Sequence, residues 1–136
     1  VGRFFSRILQ INIDNPEMAS STITLTMPEA NGRAIHFLAS GLGKGSIKIV
    51  GDVGSCVAAG NSGVAHVTVV GNAGEQAGAN MRGYSELDII GNTHYHTGNG
   101  MRDNASIFIS GIAKSVSKDR GYNTQVRQYV SSIRGT

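Results

Sequence analysis

The sequence predicts an all-β fold, a parallel β-solenoid with coils of about 20 residues. Three observations lead there. The middle of the chain aligns with itself without a gap in rows of twenty, at Ser46–Ala65, His66–Ser85, Glu86–Ala105 and Ser106 onward. Each row opens on a short alternating segment that ends in glycine: Ser46–Gly51, His66–Gly71, Glu86–Gly91 and Ser106–Gly111. Glycine makes up 19 of the 136 residues, roughly twice the usual share, while charged residues are 15% and tryptophan is absent. Such a chain is too poor in charge for a disordered segment or a coiled coil, and too short for several independent cores.

Each row has a physical reason. Period-two alternation places Ile47/Ile49, Val67/Val69, Leu87/Ile89 and Ile107/Ile109 on one face, and Lys48, Thr68, Asp88 and Phe108 on the other. Equivalent strands twenty residues apart cannot be joined by tight hairpins. The chain must return to the same side each time, so that Ile49, Val69, Ile89 and Ile109 stack in one aliphatic column about 4.8 Å per step. Gly51, Gly71, Gly91 and Gly111 mark the corner after each strand. Three further columns hold small residues where the chain turns with positive φ or without a side chain: Gly54/Gly74, Ala58/Gly78/Gly98 and Gly63/Gly83. Met81 and Met101 coincide, and Asp52, Asn72 and Asn92 fall directly after the corner glycine, where stacked polar side chains form a ladder.

The flanks differ from the rows. Thr22–Met27 alternates as a strand, Pro28–Gly32 reads as a turn, and Ala34–Leu38 reads as a second apolar strand, together forming an opening coil of irregular length or a cap. The apolar stretch Phe4, Phe5, Ile8, Leu9, Ile11 and Ile13 suits the cover of an open end or a contact with another subunit. Val126, Tyr129, Val130 and Ile133 lie at helical spacing, which predicts a short C-terminal helix. The expectation is one domain over residues 1–136, with N-terminal strands and cap at 1–45, a four-rung repeat at 46–111 and a C-terminal cap or tail at 112–136.

The glycine-rich row Val67–Gly83, followed by Leu87–Asn92, resembles the repeat of the GXGXG superfamily. Its members include one of the subunits of formylmethanofuran dehydrogenase, the related subunit of the formyltransferase/hydrolase complex and the C-terminal domain of the glutamate synthase large subunit. The resemblance covers Ser46 to about Gly111, with Gly71-Asn72-Ala73-Gly74 and Met81-Arg82-Gly83 carrying most of it. It implies a right-handed β-helix with a structural role, holding catalytic domains or subunits together.

Chemistry is sparse in this chain. Twelve Lys and Arg against nine Asp and Glu give +3, with the surplus in the tail from Lys114 through Lys118, Arg120 and Arg127 to Arg134. That tail suits an acidic partner or nucleic acid, although its spread-out charges, with no RNA-binding aromatic signature, read first as a solvated surface. Cys56 stands alone, so no disulfide within the chain and no cysteine-based zinc cluster can form, and it reads as a small apolar residue. His94 and His96 flank Tyr95, and on a strand they would face the same way as candidate metal ligands, but a third ligand is not evident and Asp103 would need the fold to bring it near. Corner histidines are the simpler reading. Gly41–Ser46 has the look of a phosphate-binding glycine loop but lacks P-loop spacing and a following helix, so it reads as a solenoid corner.

No catalytic constellation or cofactor motif stands out, and the expected function is non-catalytic. The chain reads as a scaffold subunit that organises a multi-subunit assembly through homo- or hetero-oligomeric contacts. The alternative is a self-assembling structural protein, such as a virion coat, decoration or filament subunit. No run approaches the roughly 18 to 20 apolar residues of a membrane span, and the start lacks the shape of a signal peptide. A cytoplasmic location without a membrane partner is expected, with a virion or extracellular assembly as the alternative.

Overall fold

A computed structural model describes residues 22–27, 35–121 and 123–128. Six strands follow one another in chain order: β1 (Thr22–Thr26), β2 (Ser46–Val50), β3 (His66–Val70), β4 (Glu86–Ile90), β5 (Ser106–Ile109) and β6 (Gln125–Gln128). They form one sheet in the order β1-β2-β3-β4-β5-β6, and every neighbouring pair is parallel. Each coil therefore leaves the sheet and returns one step higher. The result is a β-solenoid of about five turns.

Register follows the twenty-residue rows without slip. Ile49 pairs with Val69, Val69 with Ile89 and Ile89 with Ile109, and all four are fully buried. Ile47, Val67, Leu87 and Ile107 form the parallel column beside them. Shifting one strand by a single residue would turn both aliphatics outward, so the burial itself sets the pairing. Across the interior the sheet packs on Val57, Ala77, Met81 and Met101.

The turns repeat as faithfully as the strands. Left-handed φ recurs in columns at Cys56, Gln76 and His96, at Ala58, Gly78 and Gly98, at Gly60, Asn80 and Gly100, and at Gly63, Gly83 and Asp103. Backbone N–H groups in these turns donate to the adjacent coil, as in Gly78 to Val57 O at 2.8 Å and Gly98 to Ala77 O at 2.9 Å. The corner glycines answer to a different constraint. A Cβ on Gly71 would strike the carbonyl oxygen of Gly51, and one on Gly91 that of Gly71.

The polar ladder is present, and its bonds run from side chain to backbone. Asp52 Oδ1 accepts the Asn72 N–H at 2.8 Å, Asn72 Oδ1 that of Asn92 at 2.9 Å, and Asn92 Oδ1 that of Ile112 at 2.9 Å. The fourth coil buries polar groups as a pair. Thr97 Oγ1 donates to Thr93 Oγ1 at 2.9 Å inside the stack.

Two expected elements are different. Ile35–Leu38 is a turn and not a strand: Phe37 and Ala39 have φ of 58° and 54°, matching Cys56 and Ala58 one coil above. This turn carries Leu38 into the core, which an extended segment in line with the turns above would not do. The C-terminal helix is replaced over its first part by β6, whose Val126 continues the column of Ile107. A short isolated helix is marginal, whereas the edge of β5 offers a full row of hydrogen-bond partners. The stack thus runs past the expected four rungs at both ends, with strand spacings of 24 residues at the first coil and 19 at the last. The Phe4–Ile13 stretch, the Pro28–Gly32 turn, Tyr129–Ile133 and Arg134 lie outside the described residues.

Candidate functional site

In a stack of this kind the interior is filled, so function is sought on the outward columns. Three of these carry distinctive side chains. On the outer face of the sheet, His66 of β3 reaches the next strand. Its Nε2 lies 2.7 Å from Asp88 Oδ2 and 3.9 Å from Glu86 Oε2. The hydrogen bond to Asp88 raises the His66 pKa above 6.5, with partial burial opposing and the charges of Asp88 and Glu86 assisting.

The second column gathers the histidine motif. His94 and His96 sit in a turn and not on a strand, and His96 has φ of 60°, so the same-side alternation expected for them does not apply. His94 Nε2 lies 3.0 Å from Lys114 Nζ, whose ammonium can only donate, and the ring's other nitrogen is Nδ1. That Nδ1 lies 3.8 Å from Glu75 Oε1, beyond hydrogen-bond reach. Lys114 also stands 5.5 Å from the Tyr95 ring centre. Asp103, a third ligand only if the fold brought it near, turns its Oδ2 to the Gly83 N–H at 3.0 Å and so closes a corner. Among the described residues no group of three or more His, Cys, Asp or Glu could hold a metal ion.

The glycine loop Gly41–Ser46 is a corner of the first coil. The Leu42 N–H donates to Asn61 Oδ1 at 2.8 Å, while the Gly43 and Gly45 carbonyls accept from Val64 and His66. Asn61, fully buried, fills the position that Met81 and Met101 take in later coils, and its Oδ1 is the acceptor for Leu42. Cys56 is half-buried at a left-handed turn position, with Sγ 3.9 Å from Gln76 Oε1. The basic residues of the expected tail, as far as Arg127, belong to the last coil and to β6; Arg120 Nε donates to Ser117 O at 2.7 Å.

The third column is a ridge on the corner that leads into the strands. Val64 and Tyr84 hold equivalent places on consecutive coils, and each is 67% exposed. Their N–H groups donate to Gly43 O and Gly63 O, at 3.2 and 2.8 Å, which pins the backbone beneath the exposed side chains. Next in sequence, Ala65 and Ser85 are fully buried, while Val64 and Tyr84, in the turns that follow left-handed Gly63 and Gly83, stay outside. Exposed Arg82 and Arg102 occupy matching positions on the same corner, each two residues before the ridge position of its coil. Sequence reasoning missed this ridge, because it belongs to no chemical motif. Its signal lies in the rows, as large apolar residues directly after the Gly63/Gly83 column.

Comparison of the chain with family models, with curated proteins and with solved structures found no match. No helix among the described residues is long and apolar enough to cross a membrane.

Proposed function

We propose that the chain is a non-catalytic scaffold subunit of a cytoplasmic multi-subunit assembly, a stack that presents docking side chains at fixed heights. The observation that carries this reading is the Val64/Tyr84 ridge. Large apolar side chains exposed on successive, backbone-pinned coils suit the core of a protein interface, and Arg82 and Arg102 suit its rim. Little ordering is required of such a surface when a partner binds. Exposed Ile90, Tyr95 and Ile112 add apolar area on other columns. The resemblance of the rows to the GXGXG repeat points the same way, and membership of that superfamily is part of the proposal.

The test is native mass measurement of the chain purified from its own source, beside a Val64→Asp/Tyr84→Ala variant that keeps the wild-type strand spectrum. A wild-type heteromer that the variant loses is expected. Recovery of the wild type free of any other protein would overturn the scaffold reading. The alternative, a self-assembling structural protein, is favoured by one observation, the one-sided pairing of β1 within the described sheet. Electron microscopy separates closed shells or fibres of one chain from discrete heteromers.

A further inference from the structure

The two ends of the described stack differ in chemistry. At the β6 end, the column of Ile49, Val69, Ile89 and Ile109 finishes in Gln128, and β6 carries Arg127 on its outer face. At the β1 end, the column continues as Leu25 with Ile23 beside it, both only partly buried against the core. Strand β1 reads Thr-Ile-Thr-Leu-Thr, without charge, proline or a bulge, the usual devices that keep a sheet edge from pairing.

The backbone of β1 is equally one-sided. In a parallel ladder each residue turns its N–H and C=O to the same neighbour, and alternate residues face opposite neighbours. The Met27 N–H donates to Val50 O at 2.7 Å, so Met27, Leu25 and Ile23 face β2. Thr22, Thr24 and Thr26 therefore turn their N–H and C=O groups away from it. Among the described residues β1 pairs with β2 alone.

We infer that the β1 edge is a self-association site, at which a second copy of this chain pairs its own β1 antiparallel across a two-fold axis through Thr24. The strand is self-complementary under that operation. Thr24 faces Thr24 of the second copy, Thr22 faces Thr26, and Ile23 faces Leu25, which joins the two aliphatic columns and places the threonines together on the outer face. The outward N–H and C=O groups of Thr24 exchange both bonds with their mates, as a hydrogen-bonded antiparallel pair requires. Head-to-tail stacking of β6 on β1 would instead seat the Gln128 amide over Leu25, burying a polar group in an aliphatic column. The site lies at the end of the stack, apart from the Val64/Tyr84 ridge, and does not rest on the scaffold reading.

The full chain is tested by sedimentation equilibrium and by cysteine cross-linking in a Cys56→Ser background. A two-chain mass is expected. Thr24→Cys should form a disulfide dimer on mild oxidation, because directly opposed antiparallel residues have Cα atoms about 5.5 Å apart, within disulfide reach. Thr22→Cys alone should not, since its mate lies about 13 Å away along the strand, whereas a mixture of Thr22→Cys and Thr26→Cys chains should. Thr24→Pro removes only an outward N–H, so it should keep the strand spectrum and halve the mass. A wild type of one-chain mass, a two-chain mass that survives Thr24→Pro, or cross-linking of Thr24→Cys to Arg127→Cys in place of itself would each overturn the inference. Loss of a heteromer with Val64 and Tyr84 intact is not among these outcomes, so the two readings fail separately.

Discussion

Asn72 Oδ1 accepts the backbone N–H of Asn92, twenty residues later, at 2.9 Å. At the corner after each strand one coil-to-coil bond passes from the backbone to a side chain. The ladder therefore needs an acceptor oxygen and makes no demand on the amide nitrogen, which is why Asp52 serves at its first step. Asn72→Asp should leave stability within about 0.5 kcal/mol, while Asn72→Ala should cost about 0.5 to 1 kcal/mol, the low end for a hydrogen bond because the freed N–H meets water. Urea unfolding of the three chains side by side measures both. Equal losses for Asp and Ala would show that the ladder does not act through that oxygen.

The two kinds of turn glycine should respond differently to a methyl group. A Cβ on Gly91 would lie against the Gly71 carbonyl, which cannot move without breaking coil spacing, so Gly91→Ala should cost about 3 kcal/mol, the upper range for overpacking. Gly60 has open space around it and φ of +71°, so Gly60→Ala meets only left-handed strain of about 1 to 2 kcal/mol. Gly60→Asn should lose less again, because Asn80 already holds that place one coil up with φ of 59°. The order Gly91→Ala, Gly60→Ala, Gly60→Asn in falling cost is the expected result of thermal unfolding.

His66 should report on the pairing of β3 with β4. Its pKa is raised in the folded chain, first by the hydrogen bond to Asp88, so the folded state holds the proton more tightly than the unfolded state. The stabilisation is full below the ordinary value of 6.5 and is lost as pH rises through the folded value. Because the imidazole is 37% exposed, solvent screens the pair and the energy is modest. Histidine titration by NMR should find the His66 midpoint above 6.5, and Asp88→Asn should lower it. An unchanged midpoint in Asp88→Asn would mean that the bond is not formed in solution.

Much of this architecture could be read from the order of residues. The gapless period gave the register, the aliphatic pairs gave the core columns, and the glycine columns gave the corners, down to positive φ at Ala58, Gly78 and Gly98. Each is a local pattern copied at a fixed interval, and a copied pattern is visible without coordinates. The misjudged segments lack that copying. Val126 fits a helix or a strand alike, and only the open edge of β5 selects the strand. Ile35–Leu38 shares its turn geometry with the coil above but not its residue types.

The site was less legible than the fold. Local order left two readings for His94 and His96, corner histidines first and a pair acting together second, and it is the turn and Lys114 from the next coil that fix their surroundings. Asn61 has the look of an ordinary loop residue until Leu42, nineteen positions earlier, is brought up to donate to it. Period and burial pattern are properties of one chain read in line, and they were sufficient to specify a stack. Which outward side chains meet, which polar groups are satisfied and which strand edge is left facing outward depend on groups twenty residues apart brought within about 5 Å, and that proximity exists only once the coils have closed on one another.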